Sequence, residues 1–307
     1  MESLSRPGTC GEKMTDSDIE ERVTSLKFWC SRPVIEPLPG GITNRNYRAS
    51  ADGEEFVVRV CDELPHLGID RKNEILCQTE AHQAGVAPGI VYGEPGILVS
   101  EFVEGETLTT ARVSEPEMTT VIARTVRIYH GYWDKLRGEL LYFCPFQTIR
   151  TYAQTALSLL ADLPGDIDCL VIDSQELSHK MSPYRPTLCH NDLLAANFIA
   201  GPKKMWIVDW EYAGVGNPLF DLASISSNAS FSTEQDEFLL QAYRGTSERT
   251  DLFELRALKT VSLLREALWS MIQTVTSELD FDYVEYARTN FEAYKEARAS
   301  LSAGGHR

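Results

Sequence analysis

The sequence predicts an α+β chain of two lobes, a small N-terminal one with a mixed or antiparallel sheet plus a helix and a larger, mostly helical C-terminal one. Three observations predict it. Between residues 34 and 102, short apolar runs alternate with Pro-Gly-Gly and Asp-Gly turns around one helical stretch, the pattern of strands with a single helix. Beyond Gly105 the apolar residues recur at helical spacing instead. A chain of 307 residues, 43% hydrophobic and 24% charged, has ordinary globular usage at a size where a single core tends to divide.

The elements follow in order. Residues 1–15 are polar, and Asp16 or Ser17 caps a first helix expected to run to about Trp29, with Ile19, Val23, Leu26 and Phe28 on its apolar face. Strands are expected over Val34–Leu38, Tyr47–Ser50 and Phe56–Val60. A helix at Arg71–Ala84 is stopped by Gly85 with Pro88 just beyond, and strands follow at Gly89–Tyr92 and Ile97–Phe102. The helical part is read as Glu115–Tyr132, Phe146–Asp162, Ser174–Lys180, Thr233–Tyr243, Asp251–Glu278 and Tyr283–Leu301. Small strands interrupt it at Thr187–Cys189, Asn197–Ala200 and Met205–Val208. The predicted division is 1–103 and 104–307, with a hinge near 101–106; no internal repeat or low-complexity tract breaks this plan.

Charge narrows the functional classes. With 29 Lys+Arg against 45 Asp+Glu the formal net charge is −16, which disfavours a nucleic-acid or anionic-membrane binder and suits a cationic partner. The seven cysteines form no CxxC pair and no zinc-spaced cluster. Neither a signal-peptide core nor an apolar run of membrane-spanning length is present, so a reduced, cytoplasmic protein without membrane insertion is expected. A homodimer is compatible with all of this.

The strongest chemical signal is His190-Asn191-Asp192-Leu193-Leu194-Ala195-Ala196-Asn197, with the H-x-D-x-x-x-x-N spacing of a kinase-type catalytic loop. Phosphoryl transfer to a hydroxyl needs a carboxylate beside that hydroxyl and, five residues on, an amide oxygen that turns back toward Mg²⁺. Twelve residues after Asn197 the apolar strand Met205–Val208 ends in Asp209, a hard oxygen ligand that completes a magnesium site with Asn197. Gly40-Gly41-Ile42-Thr43-Asn44 can wrap phosphates with backbone N–H groups and a hydroxyl, although a plain hairpin turn uses the same residues. No GxxxxGK[ST] loop occurs, which sets aside that class of nucleotide-binding proteins.

CHNDLLAANF followed by IVDWEYAGVGNPLFDLA resembles the aminoglycoside phosphotransferase and choline kinase superfamily, and within it the choline/ethanolamine kinases. LPGGITNRNYRAS at 38–50 and ALWSMIQ with FDYVEYARTNFEAY at 267–294 extend the resemblance, in the same order, over about residues 34–295. The resemblance implies a protein-kinase-like bilobal fold and an ATP- and Mg²⁺-dependent kinase for choline or ethanolamine. It implies Asp192 as catalytic base and Asn197 and Asp209 as magnesium ligands. Gly41, Thr43, Asn44 and Arg59 would form the nucleotide site, with Glu74 as the ion-pair partner of Arg59. His190 and Asp221 would brace the loop.

A quaternary ammonium offers no N–H, so aromatic faces and carboxylates must recognise it. Trp269 lies one helical turn after Glu266, Tyr286 follows Tyr283 by three residues, and Tyr212 comes directly after Glu211. By resemblance, Tyr212, Trp269 and Tyr286 are members of an aromatic cage for the cationic alcohol; Glu211, beside Tyr212, and Glu266, one turn before Trp269, are the candidate carboxylates. The family's eukaryotic members carry a tryptophan where this chain has Glu266, which leaves the headgroup open between choline, ethanolamine and another cationic alcohol. The same motifs would serve a kinase for an aminoglycoside, thiamine or a sugar alcohol. A non-catalytic nucleotide-binding module would ordinarily have lost the base or a metal ligand, yet Asp192, Asn197 and Asp209 are all present.

Overall fold

The computed structural model describes residues 15–39, 44–61, 64–162, 166–245, 248–277 and 279–304. It divides into two compact units, Met1–Asp62 with Val91–Phe102, and Glu63–Ile90 with Val103–Arg307. The division places 63–90, including the expected first long helix, with the helical unit.

The first unit holds α1 (Asp16–Thr24), β1 (Val34–Leu38), β2 (Arg45–Ala51), β3 (Glu54–Val60), β4 (Ile90–Glu94) and β5 (Ile97–Glu101). The strands form one sheet in the order β1-β2-β3-β5-β4, and the pairs β1–β2, β2–β3 and β3–β5 are antiparallel. Asp52 and Gly53, at φ 56° and 85°, make the tight turn between β2 and β3, where an Asp-Gly pair tolerates left-handed backbone at both central positions. Arg59 stands on β3 between Asn46 of β2 and Leu98 of β5. Ile19 and Val23 of α1 pack on Tyr47, Ala49, Phe56, Val58 and Val99 of the sheet. Thr15 rather than Asp16 or Ser17 caps α1, through a reciprocal bond with Asp18. The helix also ends at Thr24, short of Trp29. Trp29 Nε1 donates to Val23 O at 2.7 Å, which folds the chain back so that Phe28 and Trp29 pack edge-on against Phe56.

The second unit begins with α2 (Arg71–Gln83), whose first turn is capped by the Asp70 carboxylate accepting Asn73 N–H at 2.9 Å. Then come β6 (Glu106–Thr107), α3 (Thr110–Val113), α4 (Pro116–His130), α5 (Pro145–Ser158), α6 (Ile167–Ser178), β7 (Thr187–Cys189), β8 (Phe198–Ala200), β9 (Met205–Ile207), β10 (Gly214–Gly216), α7 (Pro218–Asn228), α8 (Thr233–Arg244), α9 (Arg249–Thr276) and α10 (Tyr283–Gly304). Two small antiparallel sheets, β6-β8-β9 and β10-β7, flank the segment His190–Asn197 between the helices. The 28-residue α9 is the axis of the core, with α5, α7 and α10 packed along it and Leu255, Leu258, Leu264, Leu268 and Ile272 buried.

Several elements differ from expectation. α5 stops at Ser158 instead of Asp162, because Leu160 takes left-handed backbone at φ 56°. α6 starts at Ile167, seven residues before the expected Ser174, since Asp166 caps its first turn. α7 was not expected at all, although Asn217 at the cap and Pro218 at the first helical position are the usual start signal. β10, Gly-Val-Gly, reads as loop by composition. A Cβ on Gly214 would stand 2.7 Å from Leu141 O, so only glycine admits this close approach. Among the described residues no helix is long and apolar enough to cross a membrane.

Candidate active site

The segment His190–Asn197 leaves β7 at Cys189 and is suspended from one buried carboxylate. Asp221, on the first turn of α7 and wholly shielded, accepts His190 N–H at 2.9 Å on Oδ2 and Asn191 N–H at 2.7 Å on Oδ1. Its Oδ2 also receives the Tyr129 hydroxyl and lies 2.9 Å from His130 Nε2. Burial pushes this carboxyl upward, but the hydrogen bond and charge of His130, with His190 and Tyr129, bring it below the ordinary carboxylate value. Asn191 sits at φ 65°, a left-handed position that Asn tolerates, and sends Nδ2 to Tyr212 O at 3.0 Å.

His190 faces inward. Its Nδ1 accepts the Asp192 N–H at 3.3 Å, so the ring proton is on Nε2 and is donated to Val208 O at 3.0 Å. Burial lowers its pKa, consistent with a neutral ring that ties the loop to the end of β9. Leu193 N–H donates to Ser224 Oγ at 3.0 Å, a second attachment to α7.

Asp192 emerges from this frame with a side chain 13% exposed. Burial raises its pKa; Arg265 pulls it down, while Glu211 and Asp221 push it the same way as burial. Asn197 Nδ2 donates to Asp192 O at 2.9 Å, which leaves the amide oxygen as the outward acceptor. Val208 N–H bonds Asn197 O at 3.0 Å, so the β8–β9 hairpin delivers Asn197 and Asp209 to the same end. Asp209 is itself left-handed, at φ 67°. An amide oxygen and a carboxylate held just beyond the paired ends of β8 and β9 are a hard-oxygen donor set that fits magnesium.

The residues expected on the acceptor side also converge. Trp269 Nε1 donates to the Tyr212 hydroxyl at 2.9 Å, and its ring centroid lies 6.4 Å from that of Tyr286, edge-on. The Tyr286 hydroxyl donates to Glu266 Oε2 at 3.2 Å. Glu266 is buried and its carboxyl is pushed up to about 7, by burial and then by Asp192, against the pull of Arg265 and Tyr286. Glu211 turns elsewhere: its Oε2 meets Arg71 Nη1 at 2.9 Å, and Arg71 also holds Glu74 Oε2 at 2.8 Å. Asn44 and Arg59 belong to the first unit, where both are buried. Gly41 and Thr43 lie outside the described residues.

Two residues at this site escaped sequence reading, Arg71 and Arg265. Arg265 is 1% exposed, donates through Nη2 to Asp192 Oδ1 at 3.0 Å and through Nη1 to Asn191 O, and stacks 4.7 Å over the Tyr212 ring. A lone arginine within the apolar run Val261–Ile272 was the available signal.

Comparison with known proteins identifies the family. The model of the phosphotransferase enzyme family, APH, matches residues 34–258. The chain is 26% identical over 309 residues to the probable ethanolamine kinase A of Dictyostelium discoideum, covering 86% of this chain and 85% of that one. Among solved structures, the choline/ethanolamine kinase family protein of Mesorhizobium loti matches with a TM-score of 0.74 at 26% identity, over 92% of this chain and 94% of that one. Choline kinase LicA of Streptococcus pneumoniae has the same fold, with a TM-score of 0.73 at 23% identity over 92% and 98% of the two chains. The fold is therefore the protein-kinase-like α+β fold expected from the motifs. With the family match running through most of its length, the chain belongs to the APH phosphotransferase family and is a small-molecule kinase that uses an alcohol group as acceptor.

Proposed function

We propose that the chain transfers the γ-phosphoryl group of ATP, with magnesium, to the hydroxyl of a small cationic alcohol of the choline and ethanolamine type. The observation that carries this reading is the junction of Asp192 with the Tyr212, Trp269, Tyr286 and Glu266 cluster. Asp192 and Glu266 place two carboxylates around the single guanidinium of Arg265, at 3.0 and 3.7 Å. With both carboxylates ionised, one negative charge is left over in a buried, aromatic-lined place, and a monocation would neutralise it.

In this mechanism the acceptor's ammonium lies against the aromatic cluster and its hydroxyl reaches Asp192. Asp192 orients that hydroxyl and takes its proton, a role suited to a carboxyl whose basicity burial raises. Asn197 and Asp209 would hold magnesium, which neutralises charge on the phosphates when bound. Gly41, Thr43, Asn44, Arg59 and Glu74 are the residues proposed for nucleotide binding. The test is ADP release with ATP and magnesium on choline, ethanolamine, thiamine and kanamycin side by side. Turnover on the first two supports the reading; turnover on thiamine or kanamycin alone overturns the acceptor assignment.

Trp269→Ala should raise the acceptor KM about thirtyfold with a smaller change in kcat, because a desolvated cation–π contact contributes about 2 kcal/mol. An unchanged acceptor KM would remove Trp269 from the pocket.

Glu266 also predicts a pH dependence. Ammonium binding needs the ionised carboxylate, so the acceptor KM should fall as pH rises through about 7, and Glu266→Gln should abolish the slope. Folding responds with the opposite sign. A carboxyl raised from 4.5 to about 7 keeps its proton longer in the folded state, so this group's contribution to stability declines as pH climbs across that interval.

A further inference from the structure

Arg265 is not needed to explain the fold. A buried guanidinium is a poor stabiliser unless every N–H is met, and here Nε is buried with no partner among the described residues. The apolar residues around it on α9 show that the helix could be held in the core without a charge at this position. Its two other nitrogens have specific targets. Nη1 donates to the carbonyl of left-handed Asn191, the residue before the base, and Nη2 donates to Asp192 Oδ1.

We propose that Arg265 is a positioning residue for phosphoryl transfer, one that fixes both the backbone and the rotamer of Asp192 and sets its distance from the acceptor's ammonium. By occupying Oδ1 it leaves Oδ2, which has no partner among the described residues, as the oxygen that meets the acceptor hydroxyl. The same guanidinium stacks on Tyr212 and lies 3.7 Å from Glu266 Oε1, so the base and the proposed cation pocket are referenced to one rigid group. A planar fork with two donors directed to two oxygens does this; a lysine ammonium has the charge without the geometry. The inference rests on the reading of Asp192 as the base.

The test uses the full chain and whichever of choline or ethanolamine the wild type turns over. Arg265→Gln should lower kcat ~100-fold, the scale of a base misplaced by about 1 Å, while the KM for ATP stays within about twofold. Arg265→Lys should recover only part of that loss. Millimolar guanidinium chloride should partly restore Arg265→Ala, with sodium chloride at equal concentration as the control. In an Asp192→Asn background, Arg265→Gln should cost nothing further, since the group being positioned is already disabled.

A kcat for Arg265→Gln within about threefold of wild type would overturn the proposal. So would a loss in Asp192→Asn that simply adds to that of Arg265→Gln. If every Arg265 variant loses melting temperature and nucleotide affinity together with turnover, and guanidinium restores none of it, the role is structural and the proposal is wrong. A wild-type chain that phosphorylates no alcohol would overturn the proposed function itself and this inference with it, an outcome separable from the others because it precedes any substitution.

Discussion

Asp192→Asn is expected to reduce turnover about a thousandfold while leaving nucleotide affinity nearly intact. The substitution preserves shape, and its amide oxygen can still accept from Arg265 Nη2, as Asp192 Oδ1 does at 3.0 Å. It removes the ability to take the acceptor's proton. The backbone around residue 192 is held independently, by Asp221 on residues 190 and 191 and by Ser224 on residue 193, so the loop should keep its path. Single-turnover kinetics and nucleotide titration on the same preparation check the two halves of the expectation. A variant with wild-type kcat would remove Asp192 from the chemistry, and one that no longer bound nucleotide would show its effect to be indirect.

Asp221→Ala should be the most damaging single change to stability, at about 3–5 kcal/mol. It strips the acceptor from two backbone N–H groups and from Tyr129 and His130, all buried. Each orphaned donor then carries its full desolvation cost. For a chain of this size that corresponds to roughly 10 °C in melting temperature. The pH dependence has a definite sign. A carboxyl held below its ordinary value contributes stability above the unfolded carboxylate pKa, and the contribution disappears as pH falls through the lower folded value. Thermal melts of wild type and Asp221→Ala across the acid range should therefore converge. A parallel displacement at every pH would show that packing, and not the charge, is what Asp221 supplies.

What could be read in advance follows from distance along the chain. The loop 190–197 and the strand ending at Asp209 compress their chemistry into short spacings, so residue types and intervals alone point to it. Tyr212, Trp269 and Tyr286 were reachable only through resemblance, because an aromatic at helical spacing is ordinarily core; the structure brings the three together through a hydrogen bond and an edge contact. Arg265 and Arg71 were missed because their partners are remote: Asp192 is 73 residues from Arg265, and Glu211 is 140 from Arg71. Tertiary closure supplies those pairs, and no local pattern announces them. Glu211 shows the converse, since adjacency to Tyr212 suggested an acceptor-side carboxylate while the fold turns its Oε2 to Arg71. The strands of the first unit were legible from short apolar runs and the Asp-Gly turn, while their order and register came with the structure. α7 had its start signal in Asn217-Pro218, but the run of small and apolar residues after it lacks a polar face because all of Leu219–Ser227 is buried.

Arg265, Glu266 and Trp269 are borne by one uninterrupted helix that runs through the middle of its unit. Loops can lengthen, shift and be exchanged between relatives at small expense, which is how many enzymes acquire new tastes. A central helix cannot slide by even one residue without disturbing everything packed against it. Divergence toward another acceptor must then proceed by swapping side chains on a fixed rod, and each swap at 266 or 269 is made within a turn of the group that touches Asp192. On the proposed roles of these residues, acceptor preference and catalytic rate should vary together in variants of this chain, and a library that leaves position 265 untouched should yield altered preference without loss of rate more often than one that varies all three.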